Sequence, residues 1–151
     1  MKLSTRSRYG VRLMFELALN YGKEPVLLRN IAKNQDISEK YLSKIIIPLK
    51  AVGFVNSLRG AHGGYVLAKA PINISMKDII EVLEGDISPV ECVKNPSLCK
   101  RVSVCPTRYV WCKLGNEISE TLKNISLEEI VNNYKTALII RQRIKMLDKE
   151  E

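Results

Sequence analysis

Four thiols crowd one stretch of a 151-residue chain: Cys92, Cys99, Cys105 and Cys112, spaced C-x6-C-x5-C-x6-C. Thiolates gathered in one loop are the ligand set of an iron–sulfur cluster, of the 2Fe-2S or 4Fe-4S type. Buried structural thiols and a zinc site are the other readings, although structural zinc favours closer C-x2–4-C pairs. The sequence holds no C-x-x-C, which leaves a thioredoxin-like oxidoreductase poorly supported. Cys112 stands apart. A helix opened by Pro106 would carry it about 10 Å along the axis from Cys105. Beside Trp111 on an apolar stripe, it is either a ligand or a small core residue.

A second group of residues suits a polyanion. Ser38, Lys40, Tyr41, Ser43 and Lys44 fall on the polar side of a short helix, and Arg29 lies on the helix before it. Cations neutralise phosphates, and hydroxyl and aromatic groups on a narrow helix reach base edges in a major groove. Arg59, His62, Gly63 and Gly64 form a glycine-rich hairpin tip, able to approach a minor groove closely. His62 is the only histidine, so a serine-type hydrolase would have to route its chemistry through a solvated tip. The Gly-rich run also lacks the Lys-Ser/Thr of a phosphate-binding loop. Together these features argue against an enzyme.

The elements needed to hold these groups are legible. Residues 5–21 read as a helix with two apolar sets, Leu13, Met14, Leu17, Ala18, Tyr21 and Val11, Phe15, Leu19, leaving a polar wedge at Arg12, Glu16 and Asn20. Such a helix is covered on two sides, either by its own domain or by a second subunit as well. A helix over 27–34, a tight connection and a second helix capped by Ser38 make a helix-turn-helix. Pro48 should kink or restart that helix and Gly53 should close it. Two strands, 54–58 and 65–68, flank the glycine-rich tip. A capping box at Ser75 and Asp78 opens a further helix, and residues 86–105 lack periodicity. A helix over 106–124 carries Trp111, Leu114, Ile118, Leu122 and Ile125 as a pairing seam, and Ser126 with Glu129 caps a last helix ending in Arg141, Arg143 and Lys145.

The expected fold is mainly α with a small β-hairpin wing: a winged helix-turn-helix over 1–70, a connecting helix and loop over 71–91, a cysteine loop over 92–105, and dimerisation and C-terminal helices over 106–151. Charge divides the same way. Residues 1–70 hold twelve Lys/Arg against four Asp/Glu, and the remainder holds twelve of each, so the whole excess of +8 lies in the first half. The longest apolar runs, such as Ile45 to Ile47, fall far short of the ~20 residues of a membrane-spanning helix. The start MKLSTRSRYG has no apolar signal core, so a cytoplasmic location is expected.

The stretches MKLSTRSRYGVRLMFELA, ISEKYLSKIIIPLKAVGFVNSLRGAHGGYVLAKAP, IIEVLEGDISPVEC and NISLEEIVNNY resemble a family of bacterial winged-helix regulators. That family includes the iron–sulfur regulator IscR, the nitric-oxide sensor NsrR and the cysteine-metabolism repressor CymR. The resemblance implies a DNA-binding repressor, homodimeric on a palindromic double-stranded operator, with the helix after the cysteine loop forming much of the subunit interface. It implies cluster binding by Cys92, Cys99 and Cys105, served by cluster-assembly proteins, and DNA contacts by Ser38, Tyr41 and Arg59. Two positions depart from it: Arg108 stands where the IscR type has the histidine of a Cys-x-x-His, and Arg8 where other members supply a carboxylate. Cys112 or an unidentified group is then the fourth ligand. The flanking VLEGDISPVE resembles the cysteine-metabolism branch, which implies instead a cluster-free, thiol- or partner-responsive repressor. An iron–sulfur electron carrier or enzyme is the third reading.

Overall fold

The computed structural model describes residues 3–147. The last four residues of the expected 106–151 segment lie outside them. Helix α1, Thr5–Leu19, starts where the Ser4 hydroxyl accepts the Ser7 N–H at 3.2 Å, satisfying one of the free donors of a first turn. Helices α2, Leu28–Gln35, and α3, Glu39–Ala51, follow, joined through Asp36 in the left-handed region at φ 51°. The hairpin pairs β1, Val55–Leu58, antiparallel with β2, Gly64–Leu67, in the register Val55↔Leu67 to Leu58↔Gly64. Tyr65 also exchanges two main-chain bonds with Val26 at 3.0 and 2.9 Å, which ties the wing to the approach to α2.

Helix α4, Met76–Glu84, has the expected capping box, both halves made between Ser75 and Asp78. Short α5, Glu91–Lys94, and a single 3-10 turn at Pro96–Leu98 follow, then α6, Arg108–Asn124, and α7, Leu127–Leu147. The ends of the α4-to-α6 excursion are fastened together, since Met76 N–H donates to Ile125 and Leu127 N–H to Ile74, both at 2.9 Å.

One core takes side chains from both sides of residue 70. Leu13, Met14 and Leu17 of α1, Leu42, Ile45 and Leu49 of α3, Ile79 of α4 and Leu127 of α7 are all buried within it. Helix α1 is its centre, packed on α2, α3, α4, α7 and β2. Gly10 lets α4 come close: a Cβ there would stand 2.1 Å from Leu83 Cδ1.

Several expectations change in detail. Helix α3 runs through Pro48 without a break. Proline forgoes one bond to the carbonyl four residues back, that of Lys44 on the exposed face, and buried Ile45, Ile46 and Leu49 hold both halves of the helix. Glu16 leaves the polar wedge and is 6% exposed, because the amides of Asn34 and Gln35 reach it. Tyr21 lies past the end of α1 and is exposed rather than core. Ser38 precedes α3 but makes no side-chain capping bond. Helix α6 starts two residues after Pro106, since Cys105 and Thr107 take up a turn first.

Candidate nucleic-acid interface and cysteine loop

Helix α3 buries Leu42, Ile45, Ile46 and Leu49, and the residues between them therefore turn outward. Ser38, Lys40, Ser43 and Lys44 are exposed, and Tyr41 is half-buried at the edge of the same face. The unbonded Ser38 hydroxyl is free to meet a partner, whereas the Ser43 hydroxyl donates back to the Lys40 carbonyl at 2.8 Å. Arg29 is exposed on the first turn of α2. A cleft of about 600 Å³ separates the first half of α1 from α3, lined by Thr5, Tyr9, Asp36, Ser38, Tyr41 and Lys44 among others.

Arg59 and His62 are exposed on the wing tip. The two glycines beside them have a packing role. A Cβ on Gly63 would lie 2.5 Å from the Leu58 carbonyl oxygen and 2.9 Å from that of Gly60, and one on Gly64, at φ 154°, would lie 2.8 Å from the Val26 oxygen. Only residues without a side chain let the tip fold this tightly against its own strands.

The four cysteines occupy four different settings. Cys92 is in α5, Cys99 follows the 3-10 turn, Cys105 precedes α6, and Cys112 is five residues into the helix. All are half-buried free thiols. The Thr107 hydroxyl, 3.4 Å from Cys105 Sγ, holds that thiol below its usual acidity range, helped by the Thr107 and Arg108 N–H groups and by the charge of Arg101. Arg108 Nε is buried without a partner, and Arg8 is exposed, its guanidinium on the Thr5 hydroxyl. Three soft thiol donors in one loop suit iron by type. Among the described residues no three His, Cys, Asp or Glu side chains come together as a metal-binding group.

Helix α6 has no buried residue, and Tyr109, Val110, Trp111 and Leu114 are exposed along it. Spacing marks Trp111 and Leu114 for pairing; Tyr109 and Val110, which precede the stripe chosen from Trp111 onward, are exposed beside it. Missed from sequence were Tyr9, Arg12 and Gln35, which meet beside the recognition helix. Tyr9 and Arg12 share one side of α1 with Glu16, at positions 9, 12 and 16, and Gln35 carries no such signal.

A helix-turn-helix flanked by a hairpin, with cations and hydroxyls on the outward face of its second helix, defines a winged-helix DNA-binding regulator. The chain belongs to the Rrf2 family, whose model, described as an iron-dependent transcriptional regulator, matches residues 3–133. It is 41% identical over 132 residues to the HTH-type transcriptional regulator CymR of Bacillus subtilis (strain 168), covering 87% of this chain and 91% of that one. It is 34% identical over 139 residues to IscR of Erwinia tasmaniensis, covering 92% and 84%. Among solved structures, CymR, the global cysteine regulator of B. subtilis, superposes with TM-score 0.75 at 39% identity over 88% of this chain and 98% of that one. IscR of T. potens does so with TM-score 0.75 at 39% identity over 91% and 90%. These relatives are transcriptional regulators, and no helix among the described residues is long and apolar enough to cross a membrane.

Proposed function

We propose that this regulator is a cytoplasmic homodimeric repressor whose affinity for a palindromic operator is set through the Cys92–Cys105 loop, with an iron–sulfur cluster as the group the loop takes. Three thiols within one short, turn-built segment between α4 and α6 carry this reading. Cys92, Cys99 and Cys105 would be the ligands, with Cys112 the candidate fourth. When bound, such a group supplies a centre sensitive to oxidants and to iron supply. The protein's own part is to expose Ser38, Lys40, Tyr41, Lys44, Arg29 and Arg59 to DNA, and to offer the apolar side of α6 to a second copy. Two recognition helices held by such a dimer fit half-sites about 34–36 Å apart.

The test is anaerobic reconstitution with iron and sulfide, followed by elemental analysis and absorption spectra. Stoichiometric iron and sulfide in the wild type, lost in Cys92→Ser, is expected. Colourless, iron-free protein overturns the cluster.

A cluster-free thiol-responsive repressor is the second reading, favoured by the acidified Cys105 and by the dispersed donor set. Under it, Cys→Ser changes alter the response of DNA binding to peroxide and leave iron content at zero.

A further inference from the structure

Helix α1 reaches across to the recognition helix through a chain of polar and aromatic contacts. Buried Glu16 accepts hydrogen bonds from Asn34 Nδ2 at 3.2 Å and Gln35 Nε2 at 2.5 Å. One turn earlier, Arg12 Nε donates to Gln35 Oε1 at 2.8 Å, and its Nη2 donates to the Gln35 carbonyl. That carbonyl ends α2 and has no acceptor role inside the helix, so a guanidinium there satisfies it and complements the negative helix terminus. The same guanidinium lies 5.6 Å from the centroid of the Tyr9 ring. Tyr9 in turn meets Tyr41 of α3 edge to face, with centroids 5.8 Å apart and planes at 88°. Both rings line the open cleft of about 600 Å³ between α1 and α3, so Tyr9 bounds Tyr41 on its α1 side.

We infer that Tyr9, held by Arg12, is a positioning residue for operator reading: it fixes the direction of Tyr41 and so sets base discrimination without touching DNA. The inference rests on the DNA-binding role of Tyr41. The chain of contacts also means that the connection between α2 and α3 is held from α1, the helix on which the rest of the core packs.

The test uses the full chain and duplexes selected by the wild-type protein from a randomised pool. Affinity is read by anisotropy for the selected duplex, its single-base-pair variants and an unrelated duplex. Tyr9→Leu should lose about tenfold on the selected duplex, and its discrimination should flatten at the same base pair as in Tyr41→Leu. Binding to the unrelated duplex should stay unchanged, and Tyr9→Phe, which keeps the ring, should restore wild-type discrimination. Equal losses on all duplexes, or Tyr9→Phe behaving as Tyr9→Leu, overturns the inference. A flat profile for Tyr41→Leu itself at every position, identical to wild type, defeats instead the reading of Tyr41 as a base contact. Hydrogen exchange without DNA gives a separate readout: Arg12→Gln should speed exchange about tenfold across residues 36–41, and unchanged protection there also overturns the inference.

Discussion

Gly63→Ala is expected to disable the wing while leaving the core folded. The added Cβ would stand 2.5 Å from the Leu58 oxygen and 2.9 Å from the Gly60 oxygen. Ordinary C···O contacts begin at about 3.3 Å, so something must move by roughly 0.8 Å. Both obstacles are main-chain atoms, and no side-chain rotation removes them. Relief has to open the Gly63-to-Gly60 hydrogen bond of 3.0 Å or the last rung of the hairpin, Leu58↔Gly64. Overpacking of this kind costs about 1–3 kcal/mol. If operator binding needs the native tip, about 2 kcal/mol leaves the competent form at about one part in thirty, and affinity falls by up to about 30-fold.

Because Leu58, Arg59 and Gly60 are exposed and carry none of the core, the thermal midpoint should move by less than about 2 °C. Anisotropy titration with the selected duplex and a calorimetric scan measure both quantities. Gly22→Ala is the control, for it strains a backbone at φ 75° with nothing within 4 Å and should reduce stability by about 1 kcal/mol without touching DNA affinity. Gly63→Ala binding within twofold of wild type, with an unchanged midpoint, would refute the reasoning.

Arg59→Ala should weaken binding to all duplexes nearly uniformly and reduce the slope of log affinity against log salt by about 1 for each site engaged, as titrations from 50 to 200 mM salt will measure. Ser75→Ala removes the acceptor for the Asp78 N–H at 3.1 Å and should cost about 1 kcal/mol in urea unfolding. Glu84 lies below its ordinary carboxylate range, first because of the Ser4 hydroxyl, then through the Ser4 N–H, which donates to it at 2.7 Å, and the charge of Arg6. A depressed carboxylate stabilises the fold above its unfolded-state value near 4.5 and loses that contribution as pH falls through the lowered one. The stability gap between wild type and Glu84→Gln should therefore be constant at neutral pH and shrink in acid; a gap that widens in acid contradicts the assignment.

Order and type of the elements were legible because their signals are local: the 3–4 spacing of Leu42, Ile45, Ile46 and Leu49, the Ser75–Asp78 box, the glycines of the wing. Burial of Glu16 was not, since its partners Asn34 and Gln35 are distant in sequence and no periodicity announces an amide pair. That Pro48 does not restart the helix was illegible for a similar reason. Its cost depends on whether the orphaned carbonyl faces water, which depends on how the helix is turned against the core. The polar face of α3 was read correctly as outward, while the tyrosine, arginine and glutamine behind it emerge only when α1 crosses the helix-turn-helix. The cysteine spacing identified a soft-donor loop, yet ligand convergence is a property of three-dimensional placement that spacing does not determine.

The paired bonds between Ile74 and Leu127 and between Met76 and Ile125 close a loop of about fifty residues at its neck. Closure entropy grows only with the logarithm of loop length, so adding five residues near the thiols costs about 0.1 kcal/mol at that neck. Short insertions, deletions and cysteine exchanges in the loop between α4 and α6 are thus nearly neutral for the stability of the DNA-reading half. Under the proposed sensing role of the Cys92–Cys105 loop, a lineage can re-tune the response by editing a short segment, without re-optimising the part that reads DNA.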